Sequence, residues 1–197
     1  DTTTSLQTYL LVPKDKPLPE QLPQGLVVRT PLEHSLVYSA VHCSLLDELG
    51  KVGAISGVCD RQYIKVPTLQ EGLDNGNIAD CGNHTAPNIE AIIQLNPDAI
   101  LLSPYQNSGD FGKVGKLNIP IIQCADYVET SALGRAEWVK FYGLLFGCEK
   151  EASQLFETAA NRYNELKKKA ETLVNRPNVL SDTRYGQVWY VPGANST

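Results

Sequence analysis

The chain has 197 residues, of which 42% are hydrophobic and 20% charged, an ordinary balance for a globular protein with room for one sizeable α/β core, or one lobe plus part of another. A formal net charge of -5 argues against a dedicated nucleic-acid binder, which would present a basic surface. No apolar run approaches the ~20 residues that a membrane-spanning helix needs, and Asp1 is no natural start, so a processed or engineered N-terminus is expected.

Residues 1–25 read as a tail, a short strand over 9–12 and a Pro-rich connection. Leu26-Val27-Val28-Arg29 is the next strand, with Thr30-Pro31-Leu32-Glu33-His34 as a tight loop off its end. A helix is predicted over 35–49, closed by Gly50 where a left-handed residue is wanted. Leu36, Val37, Ala40, Val41, Leu45, Leu46 and Leu49 nearly encircle it, which implies burial on more than one side. A strand over 54–58 leads into the loop Cys59-Asp60-Arg61-Gln62. A polar stretch rich in Gly and Asn then reaches a short strand over 78–80 and the loop Cys81-Gly82-Asn83-His84.

Residues 87–104, P-N-I-E-A-I-I-Q-L-N-P-D-A-I-L-L-S-P, carry the clearest local signal. Ile89, Ile92 and Ile93 form one apolar stripe at helical spacing. Asn88 suits the N-cap, and Glu90 lies in the first turn, where the helix dipole favours an anion. Asn96-Pro97 stops the helix, because proline restricts the residue before it. Ala99-Ile100-Leu101-Leu102 is then a short unbroken apolar run, as expected of a parallel strand buried on both faces.

A loop over 105–110, a short helix over 111–117 and a buried strand over 119–123 follow. Strands alternating with helices imply a parallel sheet with right-handed crossovers, and ligands of such sheets bind at the carboxyl edge. An aromatic helix over 135–146 (Trp138, Phe141, Tyr142, Phe146) is stopped by Gly147. A second helix runs from 149 to about 174. Its stripe of Ala152, Leu155, Phe156, Ala159, Tyr163, Leu166, Ala170 and Leu173 is continuous, and at 1.5 Å per residue it would be roughly 35 Å long. Two strands, over 179–181 and 187–191, about the Tyr185-Gly186 turn come last. The fold class expected is a three-layer, parallel-sheet α/β lobe over 1–147, a long spanning helix over 148–175, and the first strands of a truncated second lobe over 176–197.

That order of parts resembles the substrate-binding proteins of ABC importers for ferric siderophores, haem or cobalamin. The likeness rests on residues 87–104, on L-N-I-P-I-I at 117–122, on A-E-W-V-K-F-Y-G-L-L-F-G at 136–147, on the long helix and on W-Y-V-P-G-A-N-S at 189–196. It implies two α/β lobes joined by one rigid helix, with ligand held between them and delivered to a membrane permease. It also implies a periplasmic or other extracytoplasmic location, with a lipid anchor through a removed N-terminal segment, and no catalysis or cofactor. Glu90 matches the surface glutamate that the family docks onto permease arginines. The alternative is a carboxylate that only complements the helix dipole, worth ~0.3–1 kcal/mol.

The ligand-binding residues expected on this lobe are Glu33, His34, Asp60, Arg61, Asn83, His84, Tyr105 and Gln106, with Tyr185 and Trp189 across the cleft. Large planar side chains at Tyr105, Tyr127, Tyr185 and Trp189 would suit a bulky, partly apolar ligand. His34 and His84 are placed on the ligand edge and could converge, whereas His42 reads as a packed or hydrogen-bonded residue. A direct zinc or manganese site would have only His34, His84, Asp60 and Glu33 to draw on, without tight spacing, so no metal centre is expected. The runner-up from another class is an enzyme of doubly wound fold with an inter-lobe active site; asparagine-like turn capping is the commoner use of loop aspartates such as Asp60 and Asp80. No G-x-G-x-x-G, G-x-x-x-x-G-K-[ST] or G-x-S-x-G occurs. Lys167-Lys168-Lys169, flanked by Glu165 and Glu171, reads as a solvated helix face.

Five cysteines make an odd number, and none forms a C-x-x-C pair. Cys43 and Cys148 read as buried small hydrophobes. Cys59 and Cys81 follow short apolar segments and could lie close enough for a disulfide in an oxidising compartment, although sequence does not fix the pairing.

Overall fold

The computed structural model describes residues 7–104, 111–175 and 183–190. Its centre is a five-stranded, wholly parallel sheet made of β3 (Ser35–Val37), β4 (Ile55–Val58), β5 (Ala79–Asp80), β8 (Ala99–Leu102) and β9 (Ile121–Gln123), in the order β5-β4-β3-β8-β9. The chain winds outward one way from β3 through β4 to β5. It then crosses back to β8 beside β3 and winds the other way to β9. The reversal leaves a crevice between β3 and β8 at the carboxyl edge of the sheet.

Two residues per strand repeat put alternate side chains into two separate cores. Val37, Val58, Leu101 and Ile122 face one way, against α1 (Ala40–Glu48), α2 (Pro67–Asp74) and α4 (Ala132–Phe146). Leu36, Ile100 and Leu102 face the other way, against Ile92 of α3 (Ile89–Leu95) and Val114. Three layers result, as the apolar strands predict.

The α3–β8 step follows its sequence closely. The Asn88 side chain accepts a hydrogen bond from the Ala91 N–H, Asn96 takes the left-handed conformation at the helix end, and all of Ala99–Leu102 is buried. Gly147 closes α4 at φ 62°. Gly143 lets α5 (Glu149–Glu171) cross α4 closely, because a Cβ there would lie 2.6 Å from the Ala152 Cβ.

Several predicted elements are corrected. The helix expected over 35–49 is a strand, Ser35–Val37, and only then a helix from Ala40; the strand is short enough for its apolar residues to merge with the helical stripe. That strand is the middle of the sheet. Leu26–Thr30 (β2) lies outside it, paired in parallel with β1 (Tyr9–Pro13) as a two-stranded ribbon whose Val28 joins the core beneath α4. The polar stretch after Gln62 contains α2, which starts on Pro67 at its first turn and buries Leu69 and Leu73. The short helix expected over 111–117 shrinks to one tight turn, Val114–Lys116. A small hairpin, β6 (Gly82–Asn83) with β7 (Ala86–Pro87), occupies the loop after β5. A last hairpin turns at the expected Tyr185-Gly186, from β10 (Thr183–Tyr185) and β11 (Val188–Tyr190); the first strand predicted for it, residues 179–181, lies outside the described residues.

α5 is one unbroken helix of 23 residues, but it packs on the lobe only near its start. Ala152 is fully buried, whereas Tyr163, Leu166 and Leu173 are 43%, 65% and 57% exposed. The apolar stripe therefore continues past the lobe that covers its first turns.

Candidate ligand-binding site

All five parallel strands end on the same edge, so the residues just beyond them share one surface. Ser39 follows β3, Asp60 follows β4, Asp80 ends β5, Ser103 follows β8 and Asp126 follows β9. At the reversal point, Ser39, His42, Ser103, Asp126, Tyr127 and Arg135 line a hollow of about 280 Å³. An adjoining hollow of about 320 Å³ shares His42, Asp126 and Arg135 and reaches the start of α4 at Ala132. Val41 and Tyr127, 59% and 37% exposed, add apolar surface around these polar groups. Apolar walls with a few convergent polar groups are the usual make-up of a small-molecule site. Two larger hollows, of about 500 and 550 Å³, both include Gln7 and Gln123 of the edge strand β9, so they lie at the side of the sheet and not in the crevice.

The polar centre is a chain of three charges or potential charges. His42, in the first turn of α1, is 2% exposed, and its Nε2 lies 2.8 Å from Asp126 Oδ1. Asp126 Oδ2 lies 3.7 Å from Arg135 Nε. Burial pushes the Asp126 carboxyl up, but the hydrogen bond with His42 and the charges of His42 and Arg135 outweigh it and hold the group below the usual carboxylate range. The Tyr142 ring packs against His42 with centroids 5.5 Å apart.

A second polar group sits further along the edge. His84 Nδ1 is hydrogen-bonded to Asp60 Oδ2, and the His84 N–H also donates to Asp60 Oδ1 at 3.4 Å. This pair of sequence-expected residues is brought together. Arg61 turns instead to Asp74, 2.9 Å away, and lies 4.0 Å from Asp80. The Asn83 side-chain oxygen is engaged in its own turn, accepting from the Thr85 N–H and hydroxyl at 2.9 and 2.6 Å.

Glu33 and His34 are on the wrong edge. They lead into β3 instead of following a strand, which puts them at the amino end of the sheet. His34 Nε2 bonds the Leu95 carbonyl at 2.9 Å, its Nδ1 meets Ser56, and Glu33 pairs with Lys14 at 2.8 Å. Both are structural here. Tyr105 and Gln106 lie outside the described residues. Tyr185 and Trp189 belong to the last hairpin, where Trp189 is 58% exposed.

Cys59 and Cys81, which could lie close enough for a disulfide, are close but unlinked in the structure. The Cys81 N–H donates to the Val58 carbonyl at 2.8 Å, so the two cysteines are neighbours across β4 and β5. The Cys59 thiol, however, is directed at the Cys81 carbonyl oxygen, 3.8 Å away. Both are free and fully buried. Burial pushes the Cys81 thiol up to about 11 and Cys59 higher still, so neither is a ready thiolate.

Comparison with known proteins agrees with this geometry. A family model described as periplasmic binding protein matches residues 39–197. The chain belongs to that family. An uncharacterized lipoprotein of Methanocaldococcus jannaschii is 29% identical over 204 residues, covering 96% of this chain and 49% of the lipoprotein. The petrobactin-binding protein of Bacillus subtilis superposes with a TM-score of 0.60 at 21% identity, covering 75% of this chain and 50% of that one. The periplasmic vitamin B12 binding protein of Vibrio cholerae gives 0.54 at 18% identity, covering 72% and 52%. This periplasmic binding protein chain thus spans about half the length of each of these three proteins, and it has the fold of ABC-transporter substrate-binding proteins. Its family places it outside the cytoplasmic membrane. No described helix is long and apolar enough to cross one.

His42, Asp126 and Arg135 were not among the site residues that the sequence suggests. His42 reads there as a packed or hydrogen-bonded side chain, which it is, but its partner 84 positions away puts it on the ligand edge.

Proposed function

We propose that the chain forms one wall of the ligand cleft of an ABC-importer substrate-binding protein, which captures a ferric siderophore, haem or cobalamin and hands it to a membrane permease. The observation that carries this reading is the crevice at the sheet's reversal point, with an apolar rim of Val41 and Tyr127 around buried His42 and Asp126. In the same reading, 1–147 is the first lobe, 148–175 the linking helix and 176–197 the beginning of a second lobe. The exposed stripe of Tyr163, Leu166 and Leu173 supports it, since a second lobe would cover that face. Asp60 and His84 contribute the outer part of the wall, and Tyr185 and Trp189 belong to the opposite one.

Glu90 is exposed in the first turn of α3 and makes no ion pair with another described residue, which suits a contact with a basic permease surface. The lipoprotein among its relatives supports a lipid anchor on the complete protein. A directly bound zinc or manganese ion would need more donors than the Asp60–His84 pair supplies. Binding without chemistry distinguishes the importer reading from an enzyme of similar fold.

Tryptophan-fluorescence titration of the full-length protein with ferric siderophores, haemin and cobalamin tests the proposal. Saturable, stoichiometric quenching by one class, without turnover, is the expected result. No response to any of them, or conversion of the ligand, contradicts it.

A further inference from the structure

A hollow of about 500 Å³ lies at the side of the sheet, outside the crevice, between the start of β1 and one face of α4. That volume is in the range of small-molecule sites. Its walls are three half-buried rings, Tyr9 of β1 and Trp138 and Phe141 of α4, each packed on the core and also lining the hollow. Phe141 joins them. Its ring centroid lies 5.8 Å from that of Tyr9, tilted by 40°, and 5.7 Å from that of Trp138, edge-on at 86°. The Tyr9 hydroxyl accepts from the Gln123 N–H at 2.8 Å, which ties the first ring to the edge strand β9. The rings are therefore fixed walls.

The charge of the hollow has one sign. Gly134, Glu137, Trp138 and Phe141 recur three and four apart, so they share one face of α4. Glu129 enters from the turn before that helix, where its Oε1 accepts from the Trp138 indole N–H at 2.9 Å. Its Oε2 uses the room that Gly134 leaves, since a Cβ there would lie 3.0 Å from it. Among the described residues lining the hollow, Glu129 and Glu137 are acids and none is Lys, Arg or His. Lys140 pairs with Glu137 at 2.9 Å, but its ammonium group rests over the Phe156 ring of α5, 4.0 Å from the centroid. Ring faces beside carboxylates attract a cation, and largely apolar walls favour one with a weak hydration shell over a compact ammonium.

We propose that this hollow is a separate binding site for a small organic cation of the quaternary-ammonium class, surrounded by Tyr9, Trp138 and Phe141, with Glu129 offsetting its charge. The site goes beyond the cleft reading and does not rest on it, since it needs neither a second lobe nor a chelate.

The test is a ¹⁵N NMR titration of the full chain, at fixed ionic strength, with choline and with 3,3-dimethylbutan-1-ol, which has the same shape and no charge. Choline should shift the Trp138 indole N–H and the Gly134 amide saturably, while the Trp189 indole N–H stays in place. The neutral alcohol should bind about tenfold more weakly. Glu129→Gln keeps an acceptor for the Trp138 N–H and loses the charge, so it should raise the choline dissociation constant about fivefold. Phe141→Leu, which removes one ring and keeps apolar bulk, should raise it by about the same factor and serves as the readout if the glutamine variant does not fold. Glu157→Gln removes the same charge from an exposed position on α5 and should change nothing. Absence of choline binding, unsaturable drift, equal binding of the alcohol, an equal loss in Glu157→Gln, or undiminished binding in the Glu129 and Phe141 variants overturns the site. Chelate titration of the longer protein decides the cleft separately, whichever way choline behaves.

Discussion

His42 Nε2 and Asp126 Oδ1 meet at 2.8 Å across 84 positions of sequence, and the contact fastens the start of α1 to the turn after β9. His42 Nδ1 is buried with no hydrogen-bond partner among the described residues, so Asp126 supplies the imidazole's one polar contact that the structure shows. Asp126→Ala should therefore cost more than a surface substitution. Removing one member of a buried pair typically costs ~3–5 kcal/mol; with Asp126 open to the crevice on one side, about 2–3 kcal/mol is expected. Urea denaturation of the variant checks it, and a change below about 0.5 kcal/mol would show that the pair contributes little.

Acid should unfold the chain through two carboxylates. Burial pushes the Asp98 carboxyl up, but its contacts with Lys14 at 2.8 Å and with the Glu33 and His34 N–H groups at 2.9 and 3.1 Å outweigh it, so the group sits below the usual range, as Asp126 does. A carboxyl depressed in the folded state stabilises above its unfolded value, ~3.9, and that contribution is lost as pH falls through the lower folded value. Stability should be flat from pH 7 to about 5 and fall steeply below about 4. Asp98→Asn should flatten that limb in denaturation curves collected from pH 7 to 2.5.

The parts of the fold legible in the sequence are those where a local rule acts alone. Asn88, the isoleucine stripe, Asn96-Pro97 and four consecutive apolar residues specify α3 and β8 without outside help. Ser35–Val37 was hidden because a three-residue strand followed at once by an apolar helix gives no change of period to detect. That one merger also misplaced Glu33 and His34, since a loop assigned to the end of β2 in fact leads into β3. Pro67 at a helix start, with Leu69 and Leu73 four apart, was a usable signal for α2. Asp60 and His84 were found because each follows a recognisable strand. Nothing in the spacing joins His42, Asp126 and Arg135; they meet because the strand order β3-β8-β9 puts the turn after β9 beside the helix that follows β3.

Leu166 tests the second lobe. At 65% exposure it has little to lose in this chain, so Leu166→Glu should shift stability by less than about 0.5 kcal/mol here. In the full-length protein, where the α5 stripe is proposed to be covered, the same change should cost about 2 kcal/mol or more. Paired melting curves read the difference. Equal small effects in both would mean that nothing covers α5.

Glu90 tests permease docking. Glu90→Arg reverses an exposed charge that lines neither hollow of the crevice, so ligand affinity should be unchanged while transport through the cognate permease falls at least tenfold. Radiolabelled uptake in cells carrying the variant measures this, and normal uptake would leave Glu90 as a helix-dipole residue only.

Calorimetry on this chain and on the full-length protein, with the ligand that the fluorescence titration selects, tests the central claim most directly. A two-lobed receptor covers most of a ligand's surface between its walls. If the full protein holds its ligand at ~10⁻⁸ M, about -11 kcal/mol, a single wall that keeps half that energy would bind at about 0.1 mM. The account predicts such a gap of several orders of magnitude. Equal nanomolar affinities for the two proteins would place the whole site within these residues and contradict the inter-lobe cleft.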